Sequence, residues 1–284
     1  MKFLIVGDLH GNKPNVYYRD FNAVIAPGDF GSDAPRTYMF ESLKQQLQDP
    51  KSKIQWYDIV GKKKAREMVQ KSISDGRSIL EQLNSIGVPV YTVPGNWDWV
   101  PDKGSKWPLL KKDHFKGMLN GLENIVNVYH RIVDIGDYQI IGHGITTGPE
   151  YPQYKEDLQR LKPVKLKKVK VEYEKLHKKV SLLFEKATKP VIFLSHNVPF
   201  NTPIDEITNK ESPRYGYHYG SLIARELIDR YDPLICIGGH MHEHFGKCKI
   251  GKTVAINAGF GSNVNTWLEL EGDKIKKLEF YKGK

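Results

Sequence analysis

Six short clusters in this 284-residue chain carry side chains of types able to bind metal ions: Asp8-Leu9-His10, Gly28-Asp29, Gly95-Asn96-Trp97-Asp98, His143, Ser195-His196 and Gly239-His240-Met241-His242. A carboxylate and an imidazole two residues apart, as in Asp8 and His10, can both turn toward one ion, and a neighbouring glycine lets the main chain approach closely. His240 and His242 repeat that spacing. Imidazole, carboxylate and amide oxygen together suit Mn, Fe, Zn or Co better than Ca or Mg, which take more oxygen ligands. Two such ions about 3.5–4 Å apart lower the pKa of a shared water and stabilise both oxygens of an in-line displacement, so phosphoryl transfer is the chemistry this donor set suits. Any one of these residues could instead cap a helix or satisfy a turn. Their joint recurrence at corresponding places in the chain is what points to a metal centre.

The elements that must position them are short apolar runs. Residues 3–6 lead into Asp8, 23–26 into Asp29, 88–93 into Asn96, 138–141 into His143, 191–194 into His196 and 234–237 into His240. Runs of this length bounded by Gly, Pro and Asn read as buried strands. Between them, Ala65, Met68, Val69, Ile73, Leu80 and Leu83 form a three-and-four stripe that predicts a helix, with Gly76 as a point for a kink. Residues 154–187 predict a helix broken near Pro163, and 221–231 a helix capped by the Ser221 hydroxyl. Residues 253–258, 266–270 and 276–281 are short runs between glycine-rich turns, the pattern of a sheet closing the domain. Strands alternating with helices predict a largely parallel α/β domain spanning 1–284, with ligands in the crevice at the strands' carboxyl ends.

Composition sets the class and the partners. Hydrophobic residues at 39% and charged residues at 27% describe a globular chain and exclude a disordered or fibrous one. The net charge of +10 favours anionic partners: nucleotides, phosphorylated small molecules or nucleic acid. Much of that excess lies in residues 162–179, which Glu172 and Glu174 dilute and no aromatic spacing accompanies, so it reads as the wet face of a helix. No run approaches the roughly 18 apolar residues of a membrane span, so neither span nor signal peptide is expected. Cys236 and Cys248 are too few for a disulfide framework, and a cytoplasmic setting is the expectation. Cys236 sits in an apolar run and reads as a packing residue. Nothing in the pattern specifies an oligomeric state.

In order and spacing, GDLHGN at 7–12, PGDFG at 27–31, GNWD at 95–98, SHNVP at 195–199 and GGHMH at 238–242 resemble the signature of the calcineurin-like metallophosphoesterases. HNVPFNTPID, HYGS, GHMHEHFG and GKTVAINAGFG further resemble an archaeal and bacterial branch described as Icc-like phosphoesterases. The resemblance implies a four-layer αββα sandwich of two mixed sheets flanked by helices. It implies two divalent metal ions, manganese first among Mn, Fe, Zn and Co. Asp8, His10 and His242 would hold one, Asn96, His196 and His240 the other, and Asp29 would bridge them. The implied reaction is hydrolysis of a phosphodiester or nucleotide-like ester by in-line attack of a hydroxide shared between the metals. Phosphomonoester or protein phosphatase-like hydrolysis, nuclease action and a metal-binding scaffold are the alternatives.

One position departs from the family pattern. Many members have histidine after the asparagine of the GNHD motif, where this chain has Trp97, and an indole offers no titrating proton. Loss of a placed general acid costs about 10²–10⁴-fold, most for poor leaving groups, so phosphodiesters, nucleotides and activated aryl esters are the expected substrates. His218, between Tyr217 and Tyr219, is the first candidate to replace the missing acid by contacting substrate, and His143 the second. Asn12 and Asn197 are expected phosphate contacts, and Asp98 is expected to orient a metal-binding side chain. Trp97 and Trp99 read as packing or base-stacking surfaces, and His114, His130, His177 and His244 as structural.

Overall fold

Along the first strand successive side chains enter different apolar layers, Phe3 and Ile5 on one face and Leu4 and Val6 on the other. The structure, a computed structural model, describes residues 1–49, 51–212 and 214–283. Its strands are β1 (Lys2–Val6), β2 (Ala23–Ala26), β3 (Val90–Thr92), β4 (Ile125–Asn127), β5 (Ile132–Ile135), β6 (Tyr138–His143), β7 (Val191–Asn197), β8 (Ile235–Gly239), β9 (Gly246–Ile250), β10 (Thr253–Asn257), β11 (Val264–Glu271) and β12 (Lys274–Lys282). Its helices are α1 (Arg36–Gln48), α2 (Trp56–Val60), α3 (Lys62–Asn84), α4 (His114–Leu119), α5 (Lys155–Arg160), α6 (Pro163–Phe184) and α7 (Leu222–Tyr231).

The strands form two six-stranded sheets, ordered β12-β11-β1-β2-β3-β4 and β5-β6-β7-β8-β10-β9. In the first, β1 to β4 are parallel and β11 and β12 antiparallel. In the second, β6, β7, β8 and β10 are parallel between the antiparallel edges β5 and β9. Both sheets are therefore mixed, and the parallel order expected from the alternation holds at their centres. Because β10 pairs with β8 and β11 with β1, the final part of the chain completes both sheets.

Residues such as Phe3, Ile5, Ile140, Ile192, Leu194 and Ile237 fill the space between the sheets. α3 and α4 cover the outside of the first sheet through Ile79, Leu80, Leu83 and Met118. α6 and α7 cover the second through Val180, Phe184, Ile223 and Leu227. The order helix, sheet, sheet, helix is the four-layer sandwich. Burial of each such side chain contributes about 1.5–3 kcal/mol, so the strand ends are held from both sides.

α3 runs unbroken through Gly76. The kink is unnecessary because the missing side chain there lets the helix lie against Gly31 and Met118. α5 and α6 divide as Pro163 predicts, with the proline in the first turn of α6, where its lack of N–H costs nothing. Ser221 caps α7, its Oγ accepting from the Ala224 N–H at 3.0 Å. α1, α2, α4, β4, β5 and β9 lie outside the elements the sequence pattern predicts. α1 buries only Ser42 and exposes Phe40, Leu43 and Leu47, while β4 and β5 are only partly buried, unlike the equally short β2 and β3. Among the described residues, no helix is long and apolar enough to cross a membrane.

Candidate metal centre

The loops that follow β1, β2, β3 and β8 meet at the end of β7. Ligand atoms of Asp8, His10, Asp29 and His242 all lie within 4.8 Å of one another, and so do those of Asp29, His196 and His240. Asp29 belongs to both sets. Its Oδ2 is 3.3 Å from His10 Nε2 and 3.5 Å from His196 Nε2, while His242 Nε2 is 3.3 Å from Asp8 Oδ2. Asn96 joins the second set through its Oδ1, 2.9 Å from His196 Nε2.

His196 arrives here from the penultimate position of β7, where the pairing with β8 shifts register between Leu194 and Asn197. It shares parity along β7 with Ile192 and Leu194, which face the inter-sheet core, and its Nδ1 meets the Pro27 carbonyl of the first sheet at 2.9 Å. Three of the gathered residues adopt left-handed backbone: His10 (φ 44°), Asp29 (φ 56°) and His240 (φ 66°). That conformation costs roughly 1–2 kcal/mol per residue, and local hydrogen bonds offset it. The His10 N–H donates to the Asp29 carbonyl at 2.8 Å, the Asp29 N–H to Asp98 Oδ2 at 2.9 Å, and the His240 N–H to Asp8 Oδ2. Glycine is required at two close approaches: a methyl group on Gly95 would overlap Asp29 Oδ1, and one on Gly239 would overlap Asp8 Oδ1.

The donor atoms suit a cation. A carbonyl can only accept, so His196 donates Nδ1–H to Pro27 and turns its other ring nitrogen, Nε2, toward Asn96 Oδ1 and Asp29 Oδ2. Three potential ligand atoms then converge, an arrangement that suits a positive ion. Asp8 Oδ1 and Asp29 Oδ2 are buried and accept no hydrogen bond among the described residues. Burial, and then the nearby His196, push His240 down to about 4, so at neutral pH it offers a free lone pair. Burial would raise the Asp29 carboxyl, but the charges of His196 and His10 outweigh it and hold the group well below the usual range. Burial likewise opposes a charged His10, yet the Asp29 carboxylate 3.3 Å away prevails and raises its pKa. The field that draws a proton to His10 would also draw a metal ion.

Asp98 lies beneath the centre. Its carboxylate accepts main-chain N–H groups of Asp29 (2.9 Å), Phe30 (2.8 Å), Gly31 (3.2 Å) and Gly95 (2.7 Å). It therefore orients the Asp29 turn through the backbone, where the sequence suggested a ligand side chain. Burial first and the Asp29 charge second push it up to about 6, against those N–H donors, which leaves it ionised at neutral pH. Trp97 stays at the centre: its ring is edge-on to His10 at 6.0 Å, and its main-chain N–H donates to Asp29 Oδ1 at 2.7 Å. Trp99 instead enters a core cluster with Trp56 and Trp107.

The remaining candidates separate. His143 does not join the ligands. It shares parity with Ile141, which packs on the helix side of the second sheet, and its fully buried ring places Nε2 3.0 Å from Glu150 Oε1. Asn12 is exposed and folds its amide back onto the Leu9 carbonyl at 2.9 Å, bracing the turn. Asn197 is buried and donates to the Tyr219 carbonyl at 3.0 Å, tying the His196 strand to the His218 loop. The His218 ring is 28% exposed, with Nδ1 2.7 Å from Oδ1 of fully buried Asp205. Further ties join this loop to the one bearing His240 and His242: His244 Nε2 lies 2.6 Å from the Glu206 carbonyl, and Asn257 of β10 donates to the Met241 carbonyl at 2.9 Å and the Ile204 carbonyl at 3.4 Å. Along α6, Lys168 and Lys170 lie 3.9 Å from Glu172 and Glu174 on an exposed face.

Sequence reasoning missed Asp205, Glu150 and Phe260. The Phe260 ring stacks on His242 at 4.2 Å, and the one available signal was an aromatic residue between two glycines.

A sandwich of mixed sheets with carboxylates and imidazoles gathered at its strand ends is the architecture of a metallophosphoesterase. Consistent with it, the family model described as calcineurin-like phosphoesterase matches residues 1–244. The chain belongs to that family, and so to the metal-dependent hydrolases of phosphate esters. Among solved structures, one chain with TM-score 0.63 at 13% identity matches 99% of this chain and 98% of its own. TT1561 of Thermus thermophilus has TM-score 0.51 at 15% identity, covering 99% and 98%. The phosphopantetheinyl hydrolase PptH of Mycobacterium tuberculosis has TM-score 0.57 at 12% identity, covering 92% and 89%. At such identities the likeness is one of fold. No curated protein matches.

Proposed function

We propose that this protein hydrolyses a phosphodiester or nucleotide-like phosphate ester with two divalent metal ions, manganese the first to test, and that Asp29 is a ligand to both. The observation that carries this reading is that buried Asp29 Oδ2 belongs to both donor sets and accepts no hydrogen bond among the described residues. When bound, the metal pair would supply a water acidic enough to attack and positive charge beside the phosphate. Asp8, His10 and His242 would hold one ion, and Asn96, His196 and His240 the other. The Pro27 carbonyl holds His196 Nδ1 and so turns Nε2 toward the centre, and Asp98 keeps the Asp29 turn in place through four main-chain N–H groups.

Trp97 cannot pass a proton to the leaving oxygen, and His218 is the proposed substitute. Its Nδ1 faces Asp205, which steadies the ring and leaves Nε2 free to exchange a proton with substrate. Leaving groups that depart readily as anions need this help least, which is the basis for favouring diesters with good leaving groups over alkyl monoesters.

A diester and a monoester sharing one aryl leaving group test the reading, assayed with added manganese. The expected result is metal-dependent turnover favouring the diester, lowered at least about 10²-fold by Asp29→Asn, since even residues that merely support a ligand are worth 10–100-fold. Equal, negligible rates in both proteins would favour a scaffold, and a large monoester preference would remove the argument from Trp97.

A further inference from the structure

Two aromatic rings stand beside the metal centre without any ligand role. Phe260 lies in the turn after β10, and its flanking residues are locked onto Asp8: the Asp8 N–H donates to the Gly259 carbonyl at 3.0 Å and the Gly261 N–H to the Asp8 carbonyl at 2.8 Å. Gly259 (φ 77°) and Gly261 (φ 90°) take the left-handed backbone that presents the phenylalanine between them. Its ring stacks on His242 with centroids 4.2 Å apart and planes 22° apart, and lies 5.4 Å from His10. Trp97 approaches the same His10 ring from the loop after β3.

Phe30, in the loop after β2, is completely buried. By contrast, 40% of Phe260 remains exposed although its main chain is fixed. A large aromatic side chain held half-open beside a polar centre offers a face that a flat apolar group of a ligand can cover.

We infer that Phe260 and Trp97 form a stacking surface that selects phosphate esters bearing a planar aromatic group, a nucleobase or an aryl ring. The inference rests on the reading that the phosphate binds at the Asp8 to His242 centre. The two sources share one chemistry but differ in reach, because an aryl ring joins the phosphate directly and a nucleobase stands a sugar away. Stacking of a base on an aromatic side chain corresponds to roughly 5- to 150-fold in affinity.

Phosphonates test this by calorimetry, since their carbon–phosphorus bond offers no ester to cleave. Methylphosphonate, phenylphosphonate and the 5′-methylenephosphonate of adenosine are titrated into metal-loaded wild type, Phe260→Leu and Phe260→Tyr. Leucine keeps the cover over His242 without the aromatic face, and tyrosine keeps that face. The expected result is 5- to 150-fold tighter binding of an aromatic phosphonate than of methylphosphonate by wild type. That ratio falls toward one in Phe260→Leu and returns in Phe260→Tyr. Whichever aromatic ligand shows the larger ratio identifies the source. The same ratio in all three proteins, or no aromatic preference in wild type, overturns the inference while leaving the hydrolase reading intact. If wild type fails to bind even methylphosphonate and hydrolyses no aryl ester, both readings fall.

Discussion

His143 and His196 end neighbouring parallel strands one register position apart, His143 pairing with Ser195, yet they face opposite layers. His196 points between the sheets, where Pro27, Asn96 and Asp29 surround it. His143 points into the helix layer and binds Glu150, whose carboxylate also accepts the Ser221 hydroxyl and the N–H groups of Leu222 (2.8 Å) and Ile223 (3.2 Å) at the start of α7. A place at the carboxyl end of a strand is thus insufficient for a role in the centre. Side-chain direction decides, with the inner face gathering the candidate ligands and the outer face fastening a helix.

The sharpest break of that contrast comes from paired substitutions. His196→Ala should lower turnover at least about 10²-fold and reduce the metal content. His143→Ala should keep the metal but lose about 2–4 kcal/mol of stability, because buried Glu150 is left short of a donor. Metal analysis joined to denaturant unfolding reads both, and metal loss in His143→Ala would abolish the distinction between faces.

A smaller effect is expected at the loop that borders the inner face. His218→Gln should slow hydrolysis of a poor leaving group by about 10²-fold, the low end for loss of a proton donor, and that of a nitrophenyl ester less. A uniform loss across leaving groups would make His218 a binding residue and remove its proposed role in proton transfer.

The smallest effect concerns the outer face alone. Burial would raise Glu150, but the hydrogen bonds from His143 and Ser221 prevail and hold its carboxyl below the ordinary value of 4.5. Its contribution is therefore fully present above pH 4.5 and is lost as pH falls through the lowered folded value. Glu150→Gln should cost about 1 kcal/mol at pH 7, from lost charge at the helix N-terminus, with the gap to wild type closing in acid. A gap that stays constant with pH would show that the charge contributes nothing.

The inner face was largely legible in the sequence. Residues such as Gly95 and Gly239 mark sites where main chain must pass a carboxylate, and a methyl group there would overlap Asp29 or Asp8. The parity of His143 was hidden because β6 is buried on both faces, so hydrophobicity does not alternate to distinguish the inner layer from the outer. Asp205 and Glu150 lacked any local sign, since each acts through partners distant in the chain: Asp205 receives His218, and Glu150 receives residues that begin α7. α1, with only Ser42 buried, never displays the stripe by which a helix is recognised.

Titration of metal-free protein with manganese, followed by calorimetry, tests the shared role of Asp29 most directly. Two ions per wild-type chain are predicted, with affinity weakened at both sites in Asp29→Asn because one carboxylate serves both donor sets. Two ions bound equally well by the variant, or none bound by wild type, would contradict the account.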